Sequence, residues 1–101
     1  MSEHVYSLDE IRAMAAPIAE RHGVNALYLF GSYARGEATP SSDMDFRIEK
    51  GQLLSLFQLA ALKIDLEDVF QKELDVLTTQ MLSPQFLNSI QPEEVLVYAR
   101  G

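Results

Sequence analysis

The chain has 101 residues, with eight Lys and Arg against fifteen Asp and Glu, a formal net charge of −7 and no cysteine. That length suits one modest domain, and 48% hydrophobic with 23% charged residues is the make-up of a globular protein rather than a disordered tail. No apolar run approaches the ~20 residues of a membrane span. The acidic balance excludes a general nucleic-acid binder, which needs a basic footprint. Zero cysteines exclude disulfides and thiolate metal sites, and with an acidic Glu3 and no apolar leader a cytoplasmic protein is expected.

Ser7-Leu8-Asp9-Glu10 has the pattern of a capping box, with Ser7 as N-cap and Glu10 three residues on. Leu8, Ile11, Met14, Ala15, Ile18 and Ala19 then mark one face of a helix. Pro17 inside it should kink the helix or loosen its middle turn, and Gly23 is a natural stop. His22 reads as a surface residue at the helix end, because no second His or Cys stands at ligand spacing to it.

Ala26 to Phe30 is a short apolar run, read as a buried strand. It leads into Gly31-Ser32-Tyr33-Ala34-Arg35-Gly36, where Gly-Ser predicts a tight turn with exposed backbone N–H groups and Arg35 adds a fixed positive charge. The polar stretch 37–42, with Pro40 and three hydroxyl residues, is a turn region. No Gly-Lys-Ser/Thr follows Gly31 at P-loop distance. Met44 to Glu49 predicts a second strand with Asp43 and Asp45 at its start. Residues two apart on a strand share a face, so these carboxylates should project side by side. Paired carboxylates beside a donor-rich turn suit a hard cation such as Mg²⁺ together with phosphate.

Lys50-Gly51 closes that strand, and 52–70 is helical in pattern. Its first part, Leu53 to Leu62, is apolar nearly all round, which leaves two readings open: simple burial, or a face for a partner or a second copy. The stretch 72–78 predicts a third strand carrying Glu73 and Asp75, 84–90 a short helix, and 94–98 a last strand, at the sheet edge. An aspartate inside a strand runs against propensity; by itself Asp75 reads as a surface carboxylate near a strand end.

Gly31-Ser32-x-x-Arg35-Gly36 with Asp43-x-Asp45 resembles the signature of the DNA polymerase β-like nucleotidyltransferase superfamily, and the small size resembles its minimal branch, the MNT proteins that pair with HEPN partners. Six named positions coincide by chance on the order of 10⁻⁷ times per frame at typical residue usage, so composition does not explain the match. The resemblance covers about residues 24–80. It implies an α/β (α+β) fold: a small mixed sheet of about four strands with helices mainly on one face. It implies ATP as donor and two Mg²⁺ ions about 3.5–4 Å apart, held by Asp43, Asp45 and a third acid on the neighbouring strand. Asp75 has that place, with Glu73 as the fallback. Gly31 and Ser32 would hold the β,γ-phosphates, Arg35 would neutralise charge there, and Gly36 would serve backbone geometry.

The acceptor implied by the resemblance is a tyrosine hydroxyl on a HEPN toxin, silenced by adenylylation, with the chain acting as antitoxin. A protein partner or self-association fits the apolar helix, and neither nucleic acid nor membrane is expected. Two alternatives stand beside this reading. One is a non-catalytic antitoxin that acts by binding alone, although unused clustered acids would be costly through mutual repulsion. The other is a nucleotidyltransferase with an RNA or small-molecule acceptor, which usually needs extra domains to hold that acceptor.

Overall fold

A computed structural model describes residues 4–52 and 55–100. In chain order it contains α1 (Leu8–His22), β1 (Ala26–Phe30), α2 (Ser32–Arg35), β2 (Met44–Glu49), α3 (Leu56–Phe70), β3 (Leu74–Thr78), α4 (Pro84–Ile90) and β4 (Val95–Ala99). Single 3-10 turns at Thr79–Met81 and Gln91–Glu93 flank α4.

The first helix starts as its capping box requires. Glu10 N–H donates to Ser7 Oγ at 3.1 Å, and Ser7 N–H donates to Glu10 Oε1 at 2.8 Å. Gly23 ends it. α1 runs as one helix through Pro17. The proline lies on the exposed side of the helix, as does Ala13, whose carbonyl loses its i+4 donor there. On the opposite side Ile11, Ala15, Ile18 and Ala19 are buried against the sheet, and tertiary packing of that kind supplies most helical stability.

The sheet has the order β3-β2-β1-β4. β1 runs antiparallel to β2 and β4, whereas β2 and β3 are parallel. A parallel pair needs a long crossover, and α3 is that crossover. The mixed four-stranded sheet is the expected architecture, with β4 on an edge. Leu27, Leu29, Met44, Phe46, Ile48, Leu74, Val76 and Val97 form one core with the buried faces of α1 and α3, the latter contributing Leu62, Leu66 and Phe70. His22 Nε2 lies 2.7 Å from Asp65 Oδ2 and joins the end of α1 to α3.

The other face of the sheet is covered differently. Phe86 of α4 packs edge-on against Phe30, with ring centroids 6.0 Å apart. Beside them Arg47, only 4% exposed, stacks over Tyr28 at 4.3 Å. It donates to both carboxylate oxygens of Glu94, to Glu49 and to Thr79 Oγ1. This cluster fixes the backbone entering β4 onto the middle of β2.

Three expected boundaries move. α3 starts at Leu56 rather than residue 52, because Ser55 caps it by accepting from Gln58 N–H; Leu53 and Leu54 lie outside the described residues. The third strand starts at Leu74 and the last at Val95. The tight turn expected after Phe30 is one turn of helix, α2. No helix among the described residues is long and apolar enough to cross a membrane.

Candidate active site

The site begins where β1 ends. Gly31 has φ 79° and ψ −156°, a conformation that residues with a Cβ rarely adopt. Space points the same way: a Cβ on Gly31 would stand 2.3 Å from Asp45 Oδ2. The glycine therefore lets the turn after β1 press directly against the aspartate on β2. Ser32 follows, half-buried at the start of α2. Gly36, at φ 74°, closes α2 in the left-handed conformation, with nothing within 4 Å of where its Cβ would be. Its requirement is one of backbone geometry alone.

The register sets the acids. In the antiparallel pair Phe30 is level with Asp45, and in the parallel pair Asp45 is level with Asp75. Asp45 and Asp75 thus leave the same face on adjacent strands, next to Gly31. Asp43 is exposed, one residue ahead of β2. It shares a hollow of about 270 Å³ with Glu73, Asp75, Glu67 and Lys63. The loop delivering Asp43 is fastened by Lys72, whose Nζ donates to the carbonyls of Ser42 at 2.5 Å and Pro40 at 3.3 Å.

Electrostatics mark Asp45 as the centre of the group. Its carboxyl is pushed up to about 6 from an ordinary 3.8, first by burial, then by the charge of Asp75 and of Asp43, with Arg35 pulling the other way. Of the two acids considered for the third position, Asp75 is the one level with Asp45 on the adjacent strand.

Arg35 is anchored through two carboxylates. Its Nε donates to Glu37 Oε1 at 2.9 Å and its Nη1 to Glu93 Oε2 at 3.0 Å. The same Glu93 oxygen accepts the Gly31 N–H at 2.9 Å. Neither Glu93 nor Lys72 was singled out by sequence reasoning. No local pattern ties Glu93 to a site 62 residues earlier; the only available signal was that an arginine in a chain of net charge −7 will find carboxylates.

The donor set suits a hard divalent cation: carboxylate oxygens with no His or Cys. The raised affinity of Asp45 for a proton comes first from burial and then from the negative charge of Asp75 and Asp43 gathered beside it, which Arg35 only partly offsets. Among the described residues, however, no three His, Cys, Asp or Glu side chains already stand together as a metal-binding group. The fit rests on the Asp45–Asp75 pair with Asp43 at its flank.

A mixed sheet with acids at the starts of β2 and β3, facing a Gly-Ser turn and an arginine, defines a nucleotidyl-transfer type of protein. The chain belongs to the polymerase beta nucleotidyltransferase family, whose sequence model matches residues 14–101. It is 42% identical over 88% of its length to a Methanocaldococcus jannaschii protein described as a candidate protein adenylyltransferase, 96% of which is covered. Among solved structures, one described as a candidate minimal nucleotidyltransferase aligns with TM-score 0.77 and 29% identity, covering 89% of this chain and 95% of that one. A complex of a tri-AMPylated Shewanella oneidensis HEPN toxin with its MNT antitoxin aligns with TM-score 0.71 over 92% of this chain and 73% of the other. At 14% identity the likeness to that complex shows a shared fold.

Proposed function

We propose that this nucleotidyltransferase moves AMP from ATP to a tyrosine hydroxyl of a HEPN toxin and so acts as its antitoxin, in the cytoplasm, as one minimal domain. The observation that carries the reading is the register of Asp45 with Asp75, flanked by Asp43 and facing Gly31. The descriptions of the relatives support the chemistry and the kind of acceptor.

Asp43, Asp45 and Asp75 would hold Mg²⁺, with Asp75 at the ion nearer the nucleophile. Bound there, the ions supply charge stabilisation for the attacking and leaving oxygens. The Gly31 N–H, Ser32 and the Arg35 guanidinium bind the β,γ-phosphates and offset charge as pyrophosphate departs. The tyrosine oxygen forms a bond to the α-phosphorus, the bond from that phosphorus to the pyrophosphate oxygen breaks, and the tyrosine proton passes to the Asp75 carboxylate. Asp75 is exposed, as a base meeting a hydroxyl from another protein must be. Orientation of the attacking hydroxyl is worth roughly 7–11 kcal/mol of such a barrier. A bound toxin supplies it.

The test is incubation with ATP and Mg²⁺, with and without the protein encoded next door, followed by mass measurement of that protein. One or more added AMP groups on tyrosine are expected. An unmodified partner in the presence of folded chain, ATP and Mg²⁺ would overturn the transfer.

A further inference from the structure

We propose that Glu93 is a built-in occupant of the phosphate cradle, which a triphosphate must displace to bind; this rests on the nucleotide reading above. One oxygen of Glu93 lies 2.9 Å from the Gly31 nitrogen and 3.0 Å from Arg35 Nη1. An anionic oxygen between a backbone N–H and a guanidinium is the arrangement a non-bridging phosphate oxygen would take. The two cannot share it. The amide has a single hydrogen, and a carboxylate beside a phosphate at the same donors is repelled.

Glu93 is delivered to the cradle by an anchored segment. The next residue, Glu94, is held by the buried Arg47, and Glu93 itself ends the 3-10 turn that follows α4. Displacement therefore needs only the Glu93 side chain to rotate outward, while the backbone stays fixed through Glu94. The contact is solvated enough to yield: the Arg35 side chain is 44% exposed and that of Glu93 25%. Glu37 is different: it accepts from Arg35 Nε, a separate donor, its side chain is 65% exposed, and the Gly31 N–H goes to Glu93. Arg35 has five donors and keeps Glu37 while exchanging Glu93 for phosphate. The consequence is selectivity by charge: a polyphosphate displaces the carboxylate where a weak monoanion does not.

Binding of a non-hydrolysable ATP analogue, and separately of inorganic tripolyphosphate, is measured by calorimetry at fixed Mg²⁺. Wild type is compared with Glu93→Gln, Glu93→Ala and Glu37→Gln. Both Glu93 variants should bind both probes roughly three- to tenfold tighter, the range a partly exposed charged pair contributes, with Glu37→Gln changing less than about twofold. Equal or weaker binding by folded Glu93 variants, with measurable binding by wild type, overturns the displacement and leaves the nucleotide reading standing. Absence of analogue binding to every form overturns both. Wild type alone gives a second reading that needs no variant: the Gly31 amide resonance must shift as tripolyphosphate saturates the protein, and a resonance that stays put rejects the proposal.

Discussion

Asp75 on β3 is the direct register partner of Asp45 on β2, in the one parallel pairing of the sheet. Adjacent strands lie only ~4.8 Å apart, so two carboxyl groups leave one face at neighbouring positions, with Asp43 adding a third charge and burial adding its own penalty. The folded protein therefore holds Asp45 at a cost whenever it is ionised.

That cost has a sign with pH. The carboxyl of Asp45 is raised to about 6 in the fold against 3.8 ordinarily, so between those values the native state binds more protons than the unfolded state. Stability from this site is full below pH 4 and lost as pH rises through 6. The loss is about 1 kcal/mol after allowance for solvent screening of a partly buried group. Without metal, Asp45→Asn should melt above wild type at pH 7.5, by about 4–8 °C per kcal/mol in a domain of this size, and the gap should close at pH 4. A gap of equal size at both pH values would remove the electrostatic explanation.

Mg²⁺ reverses this ordering. A ligand that binds only the folded state stabilises by mass action, about 2.7 kcal/mol at a hundred times its dissociation constant. Wild type should gain melting temperature with Mg²⁺ and more with Mg²⁺ and ATP, and chelation should remove the gain. Asp45→Asn should respond to neither. A wild-type melting curve indifferent to both ligands counts against the metal assignment.

For activity, Asp43→Asn, Asp45→Asn and Asp75→Asn should each lose roughly 10²–10³-fold in kcat with the fold intact, the size of removing one electrostatic stabiliser. Glu73→Gln, whose acid is not the register partner of Asp45, should stay near wild type. Transfer by Asp75→Asn at the wild-type rate, with Glu73→Gln inactive, would exchange their roles. Arg35→Ala should chiefly weaken nucleotide affinity, by about 10–100-fold, as for loss of a charged hydrogen bond.

How much of this was legible before the fold was known follows from range. The apolar run from Ala26 to Phe30 names a strand within five residues, and Ser7 with Glu10 names a helix start within four. Gly31, Arg35, Asp43 and Asp45 fall within one continuous stretch, so their spacing could be read directly. Asp75 could be placed only through the family, because which strand neighbours β2 is decided by the α3 crossover. Glu93 and Lys72 act across 58 and 30 residues respectively, where no local periodicity reports. α2 was missed because four residues are too few for a helical period.

The buried Arg47–Glu94 pair gives a stability prediction. Both side chains are nearly sealed, at 5% and 6% exposure. Removing one partner leaves an uncompensated buried charge, worth about 3–5 kcal/mol, while replacing both with apolar residues of similar size is often neutral. Arg47→Ala should therefore unfold at markedly lower denaturant, and Arg47→Met with Glu94→Leu should recover most of the loss. A double variant as unstable as the single one would show that the cluster stabilises through its other bonds, to Glu49 and Thr79.

The last prediction concerns α3, whose sequence left burial and partner contact both open. The helix divides cleanly. Leu62, Leu66 and Phe70 are buried, whereas Leu56 is 77%, Phe57 89% and Ile64 62% exposed. Phe57, Ala61 and Ile64 follow one stripe at helical spacing, with Leu56 and Ala60 beside it. Single exposed apolar residues are ordinary, but a run of this kind on one helix is what a partner face would present. If the proposed HEPN partner sits here, Phe57→Glu puts a charge where apolar contact is needed and adds to a net charge already at −7. The fold should be untouched, because substitutions at so exposed a position stay within about 0.5 kcal/mol. The expected result is an unchanged melting temperature for the isolated chain, together with loss of the co-expressed partner from the complex on gel filtration. A complex that survives Phe57→Glu with wild-type stability moves the interface to another face.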